Sequence, residues 1–419
     1  MAQLSRAIGL FGLAACASAL RLENPKVTAI EMMDTRGADA SCEPPAAYRQ
    51  ELGNMMDLQY FTEISVGGQK IKGILDTGSF ELVVFDRNCM TCGTAGAYDS
   101  KTSKTFQASN VQKIHSYGSG SCQSQAGSDE VTLGCYKTPH QAMWLAVDCR
   151  MPVLEQAGFQ SIVGVGPPGQ PAFTAKETLK QLDEMEAKLN ETKQPVPKQL
   201  LEARKTAEDE LKDAAGKKSL LESFEMTTFS TCLGRKKGSP AYLIWNDETR
   251  EGKLGTMKIP VLGNITWGVA LSGLSLELNP SNSDVKTVTE ETVGCVGGCG
   301  AVVDTGTSLL AVPTTTYRAI AMVITQHVNT TDCSDLSKFP SLLISVAGHK
   351  LRLPPSSYIG TVEGVPSQQV AQYMPQLMQQ LPSDPKACQL LLMDMGMQMT
   401  TLGPMMILGM PLFREYYTT

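Results

Sequence analysis

The sequence predicts a mostly β protein made of two similarly folded lobes, with a helical insertion in the first lobe. Two short phrases occur in the same order in each half of the chain, which indicates an internal duplication. Short apolar runs separated by glycine-containing turns dominate the rest and are typical of strands. The length of 419 residues also exceeds one compact core. Together these observations predict two β lobes related by a pseudo-twofold axis.

The composition is that of a globular protein and excludes several functional classes. Apolar residues make up 42% and charged residues 19%, which excludes a wholly disordered chain. The net charge of −6 offers no basic footprint, so we expect no nucleic-acid partner. Four histidines and no HExxH pattern argue against a zinc hydrolase, and we expect no metal and no other cofactor. We expect a monomer without a membrane span, because no later apolar run is long enough.

The first 19 residues are typical of a secretory signal peptide. Arg6 precedes a short apolar stretch from Ile8 to Leu20, and Ala17-Ser18-Ala19 offers small residues for cleavage. A membrane anchor is the alternative, but the stretch is too short to cross a bilayer. Residues 20–52 have no strong periodicity and are interpreted as a propeptide or a loose N-terminal arm. We therefore expect the secretory pathway, with an extracellular, vacuolar or lysosome-like destination.

The cysteines fit an oxidising compartment. Twelve are present, and Cys16 would leave with the signal peptide, so at least one remaining thiol would be free or intermolecular. Cys89 and Cys92 form a CxxC motif, which could be a redox or zinc motif. A small disulfide loop is favoured, because no second CxxC and no histidine lies nearby. Three Asn-X-Ser/Thr triplets would be glycosylation acceptors, at Asn190, Asn264 and Asn329.

From residue 60 onward the chain has a strand-and-turn texture. Phe61 to Val66 roughly alternates in polarity, and after a Gly-Gly turn Lys70 to Leu75 resumes a strand. The sequence predicts an N-terminal lobe at 53–247 and a C-terminal lobe at 248–419. The end of the second lobe could be truncated, because the chain stops soon after its last strand phrase.

Residues 174–225 interrupt this texture with a segment rich in Lys, Glu, Leu and Ala. Its apolar residues lie near helical spacing, and Pro195 and Pro197 divide it, so it predicts two helices joined by a bend. Its charge density favours a solvated surface insertion in the first lobe. A partner-binding helical hairpin is the alternative.

The internal repeat carries the candidate catalytic residues. Ile74 to Ser79 and Val302 to Ser308 each place Asp-Thr-Gly and a hydroxyl residue after an apolar run. Each half later contains an apolar-apolar-Gly phrase, Ile162-Val163-Gly164 or Ile407-Leu408-Gly409. A single Asp-Thr-Gly is typical of an ordinary hydrogen-bonded turn. Two copies, each answered by the same second phrase, make coincidence implausible.

If a pseudo-twofold axis relates the lobes, Asp76 and Asp304 meet at the floor of the cleft between them. Two carboxylates so close cannot both ionise easily, so they share one proton. The ionised member would act as general base on a water, and the protonated member would donate to a substrate carbonyl oxygen. This pair predicts peptide hydrolysis without a covalent intermediate, favoured at acid pH.

From about Leu52 to the C-terminus, outside the helical segment, these motifs resemble those of the pepsin-like aspartic proteases, peptidase family A1. Tyr117-Gly118-Ser119-Gly120-Ser121 is similar to the tip of the family's flap, the β-hairpin that closes over substrate. The resemblance implies a bilobal pepsin-like fold, an aspartic endopeptidase made as a zymogen, and an extended polypeptide substrate. It implies that Tyr117 hydrogen-bonds across the cleft and that Gly118 and Ser119 face the peptide. It also implies supporting roles around the aspartates for Thr77, Gly78, Ser79, Thr305, Gly306 and Thr307.

The resemblance further implies three disulfides. They are Cys89–Cys92, Cys295–Cys299 and Cys333–Cys388. The remaining cysteines of the mature chain match nothing in the family pattern: Cys42, Cys122, Cys135, Cys149 and Cys232. The chain departs from the family after its first Asp-Thr-Gly-Ser, where Phe80, Glu81 and Val83 replace the usual Ser, Asn and Trp. Because that Trp normally partners the flap Tyr, a catalytically weak or inactive binding protein on the same scaffold is the alternative function.

Overall fold

A computed structural model describes most of the chain. The described residues are 47–419 apart from 56, 250–252, 254, 279–288, 329–332 and 362–387. The predicted signal peptide and the positions of Cys16, Cys42 and Asn329 lie outside these ranges. Two large sheets dominate, one in each half of the chain. The prediction of a mostly β protein with two lobes is therefore confirmed.

Ten strands form the sheet of the first lobe. In chain order they are β1 (Tyr48–Met55), β2 (Gln59–Val66), β3 (Gln69–Asp76), β4 (Leu82–Phe85), β5 (Gln107–Tyr117), β6 (Gly120–Leu133), β7 (Tyr136–Arg150), β8 (Ser161–Gly164), β9 (Phe229–Leu233) and β10 (Ala241–Trp245). Their order across the sheet is β5-β6-β7-β4-β8-β3-β2-β1-β10-β9. Strand β1 pairs with both β2 and β10, so the described part of this sheet begins at Tyr48.

The second lobe is built on a nine-stranded sheet. The strands of this half are β11 (Gly268–Leu278), β12 (Thr289–Gly294), β13 (Cys299–Val303), β14 (Leu310–Val312), β15 (Ser341–Val346), β16 (His349–Leu353), β17 (Ile359–Gly360), β18 (Gln389–Leu390), β19 (Leu392–Asp394), β20 (Met399–Thr400) and β21 (Gly403–Leu408). The main path is β16-β15-β11-β13-β21-β14-β19, with β12 on β11 and β20 on β21. Strands β17 and β18 pair separately.

The same three-strand unit occurs in both lobes and accounts for the repeated phrases. In the first lobe β3 runs parallel to β8, and β4 pairs antiparallel with β8. In the second lobe β13 runs parallel to β21, and β14 pairs antiparallel with β21. Strand β8 is buried along its whole length, which explains its continuous apolar sequence. Each apolar-apolar-Gly phrase is thus the strand that lies beside an Asp-Thr-Gly loop.

Five α-helices lie among the described residues. They are α1 (Gln170–Glu191), α2 (Lys198–Ala215), α3 (Leu220–Ser223), α4 (Thr314–His327) and α5 (Met410–Glu415). None of these five is long and apolar enough to cross a membrane. Helices α1 and α2 fall in the segment predicted to be helical, but α1 begins before residue 174. The break between them contains Pro195 and Pro197, as predicted. Arg204 on α2 links the two helices by ion pairs to Asp183 at 2.6 Å and Glu186 at 2.9 Å.

The C-terminal residues connect the two lobes. Met410 and Phe413 of α5 pack into the core of the first lobe, whereas Leu412 packs into the core of the second. Beyond the helix, Thr231 N–H on β9 donates to Thr418 O at 2.9 Å, and Thr418 N–H donates back at 3.3 Å. The last described residues therefore help to hold the lobes in one arrangement.

The structure joins the three cysteine pairs that the family resemblance implied. It adds a fourth disulfide, Cys122–Cys149, between β6 and β7. Cys135 and Cys232 are also disulfide-bonded. No cysteine in the described ranges has a free thiol, and Cys89 and Cys92 form the small disulfide loop that the sequence favoured. The expectation of an odd cysteine depends on residues outside those ranges and stays a prediction.

Candidate active site

The two Asp-Thr-Gly loops meet between the lobes. Asp76 ends β3 and Asp304 follows β13, and both side chains are buried and in contact through a hydrogen bond between their carboxyl groups. A Cβ atom on Gly78 would lie 2.7 Å from Asp304 Oδ1, and one on Gly306 would collide with Asp76 Oδ1. Each carboxyl therefore lies against the glycine of the opposite loop, where any side chain would displace it. We refer to Asp76 and Asp304 as the dyad.

Each carboxyl of the dyad is oriented by the same two donors within its own loop. Gly78 N–H donates to Asp76 Oδ1 at 2.9 Å, and Ser79 Oγ donates to Asp76 Oδ2 at 2.5 Å. The second loop repeats both bonds, from Gly306 N–H to Asp304 Oδ1 at 2.7 Å and from Thr307 Oγ1 to Asp304 Oδ2 at 2.5 Å. The repeated sequence thus produces a repeated set of contacts. The hydroxyl residue after each Asp-Thr-Gly has a physical role, because it fixes the outer oxygen.

The two threonines of the repeat bind the loops to each other. Thr77 N–H donates to Thr305 Oγ1 at 3.1 Å, and Thr305 N–H donates to Thr77 Oγ1 at 2.9 Å. Each hydroxyl then donates across the lobe boundary, from Thr77 to Val303 O at 2.8 Å and from Thr305 to Leu75 O at 2.7 Å. All four bonds join residues of opposite lobes. Because both threonines are buried, these bonds fix the separation of the carboxyls without competition from water.

The electrostatics of the dyad favour a retained proton. Burial, and after it the negative charge of Asp304, raise the pKa of Asp76 from its ordinary value of 3.8 to about 7. The hydrogen bonds from Ser79 and Gly78 lower this pKa and offset only part of the increase. The proton that Asp76 retains lies in the hydrogen bond between the two carboxyl groups, where either of them can hold it. The pair can therefore supply one acid and one base over the acid range.

The predicted flap residues lie over the same cleft as the dyad. The flap is the hairpin of β5 and β6, and Tyr117 pairs with Gly120 across its tip. Tyr117, Gly118 and Ser119 line a cleft of about 2000 Å³ whose floor contains both aspartates. Burial raises the pKa of Tyr117, and the nearby charges of Asp76 and Glu81 act in the same direction. The structure thus brings the predicted site residues together around one cleft, except the disulfide cysteines and the buried Thr77 and Thr305, which join the two loops without lining it.

The helical segment forms part of the cleft wall, which the sequence interpretation did not anticipate. Thr174 of α1, Asp209 of α2, and Lys217 and Lys218 beyond it line the cleft. The side chain of Gln141 on β7 donates to the backbone oxygen of Lys218 at 3.0 Å and fastens this end of the segment to the sheet. The segment is therefore more than a solvated surface feature, since one end of it borders the site.

The sequence analysis missed a set of charged residues around Glu81, one of the positions where this chain differs from the family pattern after Asp-Thr-Gly-Ser. Glu81 lies within ion-pair distance of Lys113 and His115, which are both on β5. Val83 pairs in register with Trp144 of β7, so an indole from a neighbouring strand lies beside Val83. Lys113, His115 and Tyr117 are spaced by two residues, and this spacing could have predicted that they share one face of the flap.

Comparison with known proteins agrees with this architecture. The family model described as eukaryotic aspartyl protease matches residues 59–194 and 229–419. The chain is 27% identical over 322 residues to chymosin of Callithrix jacchus, covering 75% of this chain and 72% of that protein. It is 26% identical to pepsin A of Canis lupus familiaris, covering 76% and 72%, and 26% identical to vacuolar protease A of Arthroderma otae, covering 77% and 71%. The unmatched residues 195–228 include α2 and α3.

Proposed function

The chain belongs to the eukaryotic aspartyl protease family, and we propose that Asp76 and Asp304 are its catalytic pair. The resemblance to pepsin-like proteases inferred from the motifs is confirmed by this match, and the chain is an aspartic-type endopeptidase. The observation that carries the assignment of the pair is the reciprocal arrangement of the two loops. Each carboxyl lies against the opposite glycine, and the two threonines hold the loops together.

The proposed reaction needs one proton on the dyad and one water between its carboxyls. The ionised carboxylate takes a proton from the water as the water oxygen bonds to the peptide carbonyl carbon. The protonated carboxyl donates its proton to the carbonyl oxygen, which gives a tetrahedral diol without any bond to the enzyme. The proton gained by the first carboxylate then passes to the amide nitrogen as the C–N bond breaks. The other carboxylate takes a proton back from a diol hydroxyl as the new carboxyl group forms, so the dyad again holds one proton.

This chemistry sets the expected pH dependence. Since burial and the charge of Asp304 raise the pKa of Asp76 to about 7, the pair keeps its single proton through the acid range. Above that value both carboxyls are ionised, no acid remains for the carbonyl oxygen, and cleavage stops. We expect activity to fall as the pH rises through about 7.

The proposed substrate is an extended polypeptide. A cleft of about 2000 Å³ that runs between flap and floor is large enough for several residues of a chain, and strand-like pairing to the flap would hold it. The alternative, an inactive binding protein, has less support, because both aspartates, both glycines and both outer hydroxyls are present and in contact. The replacements at Phe80 to Val83 leave these contacts intact.

We also propose entry into the secretory pathway as a zymogen, with lobes near 53–247 and 248–419 and an insertion near 174–225. The N-terminal pattern, the disulfides and the triplets at Asn190 and Asn264 support this route. Expression in secreting cells, with mass analysis of the mature N-terminus and of glycosidase-treated protein, tests it. A product that keeps residue 1 and carries no glycan would contradict it.

The decisive test of the catalytic pair is cleavage of an unfolded protein substrate at acid pH. We expect Asp76→Asn and Asp304→Asn each to lower kcat/KM by at least about a thousandfold, because each removes the acid or the base. Asp335→Asn, an exposed carboxyl of the second lobe, serves as the matched control and should keep full activity. Persistent cleavage by both dyad variants would exclude the pair as the source of catalysis. Correctly folded wild-type protein that cleaves nothing would favour the binding alternative.

A further inference from the structure

The inner face of the flap carries charge in this chain. On β5, Lys113, His115 and Tyr117 are buried or half-buried and alternate with exposed residues such as Ile114, which is 69% exposed. The inner row therefore consists of a lysine, a histidine and a tyrosine that approach the floor of the cleft together. A group on the floor of the cleft that binds Lys113 and His115 therefore also fixes the distance of Tyr117 from the floor.

Glu81 is that group. Its Oε1 lies 2.8 Å from Lys113 Nζ, and its Oε2 lies 3.4 Å from His115 Nε2, so each carboxylate oxygen faces one flap residue. The side chains of Glu81 and His115 are only 20% and 6% exposed, which limits screening of the pair by water. We call Glu81, Lys113 and His115 the Glu81 cluster.

The backbone of Glu81 is fixed relative to the dyad. It lies five residues after Asp76 in the same loop, and its carbonyl oxygen accepts a hydrogen bond from Gly164 N–H at 3.2 Å. A Cβ on Gly164 would lie 2.5 Å from the backbone of Phe80, so the strand phrase packs directly on this part of the loop. The Glu81 carboxylate therefore projects from a hydrogen-bonded part of the active-site loop toward strand β5 of the flap, and it links the two.

The surroundings of the Glu81 cluster favour its ionised form. Burial alone would raise the pKa of Glu81, but the hydrogen bond from His115 and the charge of Lys113 outweigh it and lower the pKa to about 2. The other groups that face the cluster are Tyr117 on the flap, the uncharged Ser124 hydroxyl on β6, 3.2 Å from His115 Nδ1, and the Trp144 ring on β7. Lys217, from the segment after α2, lies 5.4 Å from that ring and adds positive charge. The Glu81 carboxyl is thus ionised at the acid pH that the dyad requires.

We propose that Glu81 is a positioning residue that holds the flap over the dyad through Lys113 and His115. This role rests on the proposed function, since it sets the place of Tyr117 and Gly118 above a bound peptide. It also gives a physical account of the departure from the family at Phe80 to Val83. Where relatives anchor the flap Tyr by a Trp, this chain anchors the strand below the Tyr by an ion pair.

The test combines enzyme kinetics with hydrogen exchange of the flap in the full chain. Glu81→Gln and Lys113→Met each remove the ion pair and keep the side-chain size. We expect each to raise KM about tenfold with little change in kcat, because the flap binds the peptide equally in the ground and transition states. Amide exchange should accelerate in residues 107–124 but not in the β2–β3 hairpin. The double variant should raise KM no more than Glu81→Gln does alone, since both substitutions remove the same ion pair between Glu81 and Lys113.

Two further variants separate positioning from a merely structural role. Lys113→Arg keeps the charge and the reach and should restore KM to within about twofold of the wild type. Lys137→Met removes a comparable ion pair, to Glu130 at 2.9 Å on the same sheet but outside the cleft, and should change neither KM nor flap exchange. The proposal is overturned if flap exchange in Glu81→Gln matches the wild type, or if Lys113→Met affects KM no more than Lys137→Met. If no variant and no wild-type protein cleaves peptide, the proposed function fails, while the exchange experiment still decides the role of Glu81.

Discussion

The retained proton of the dyad predicts that folding stability falls as the pH rises from the acid range to neutrality. In the unfolded chain the Asp76 carboxyl ionises near 3.8, whereas in the folded protein its pKa is raised to about 7. Between these values the folded state holds a proton that the unfolded state has lost. Since stability decreases with pH wherever the folded state binds more protons, the free energy of unfolding falls across this window.

The magnitude follows from the size of that change in pKa. At about 1.36 kcal/mol per pKa unit, the change from 3.8 to about 7 corresponds to roughly 4 kcal/mol of folding free energy lost above pH 7. The Asp76→Asn variant has no charge to bury and should lack this loss. We expect it to match the wild type near pH 3.5 and to be more stable by at most roughly 4 kcal/mol near pH 7.5.

Urea unfolding at pH 3.5, 5.5 and 7.5 measures this difference. Trp245, whose side chain is fully buried, provides the fluorescence signal, and a gel after each measurement checks that the chain is uncut. Asp304→Asn should also flatten the profile, because it removes the neighbouring negative charge. Carboxyls with lowered pKa, such as Glu81, are ionised in both the folded and the unfolded chain at pH 5.5 and 7.5, and their contribution cancels in the comparison of variant with wild type. If Asp76→Asn is no more stable than the wild type at pH 7.5, the retained proton does not exist.

Three further predictions concern the scaffold of the site. Thr77→Val leaves the backbone oxygen of Val303 and the backbone N–H of Thr305 without their buried partner. The free energy of unfolding in urea should therefore fall by about 2–4 kcal/mol, and an unchanged midpoint would contradict this prediction. Gly78→Ala places a methyl group 2.7 Å from Asp304 Oδ1 and should lower kcat/KM about a hundredfold or more, while near-normal turnover would show that the loops are free to separate. Replacing Cys122 and Cys149 together by Ser removes a disulfide that spans 27 residues. The same urea assay should show a free energy of unfolding lower by about 3–4 kcal/mol, and a stability equal to that of the wild type would refute this prediction.

Much of the fold and of the site is encoded locally and could be read from the sequence. The strands of the repeat are short apolar runs bounded by glycine, and this pattern depends only on the residues within each run. The candidate catalytic residues were identifiable because a duplication makes the two loops equivalent, and equivalent loops can meet where they lie at a twofold axis. The disulfides within short loops, such as Cys295–Cys299, were expected from the resemblance to the family.

Contacts between segments that share no repeat could not be predicted in this way. Cys122 and Cys149 meet because the register of β6 on β7 places them opposite each other, and a register error of one residue would turn the side chains to opposite faces. The helical segment was recognised from its period, but its contact with the cleft depends on how its end docks on β7. Nothing in the segment itself indicates which surface it meets.

The sequence by itself determined the class of the fold, the pair of loops and the identity of the two aspartates, because each of these is written in consecutive residues and repeated. Only the tertiary structure decided the surroundings that tune them: the threonine bonds between lobes, the ion pairs of Glu81 with the flap, and the helical wall of the cleft. Those contacts join residues far apart in the chain. Their energies depend on distance and burial, which exist only after the lobes have packed.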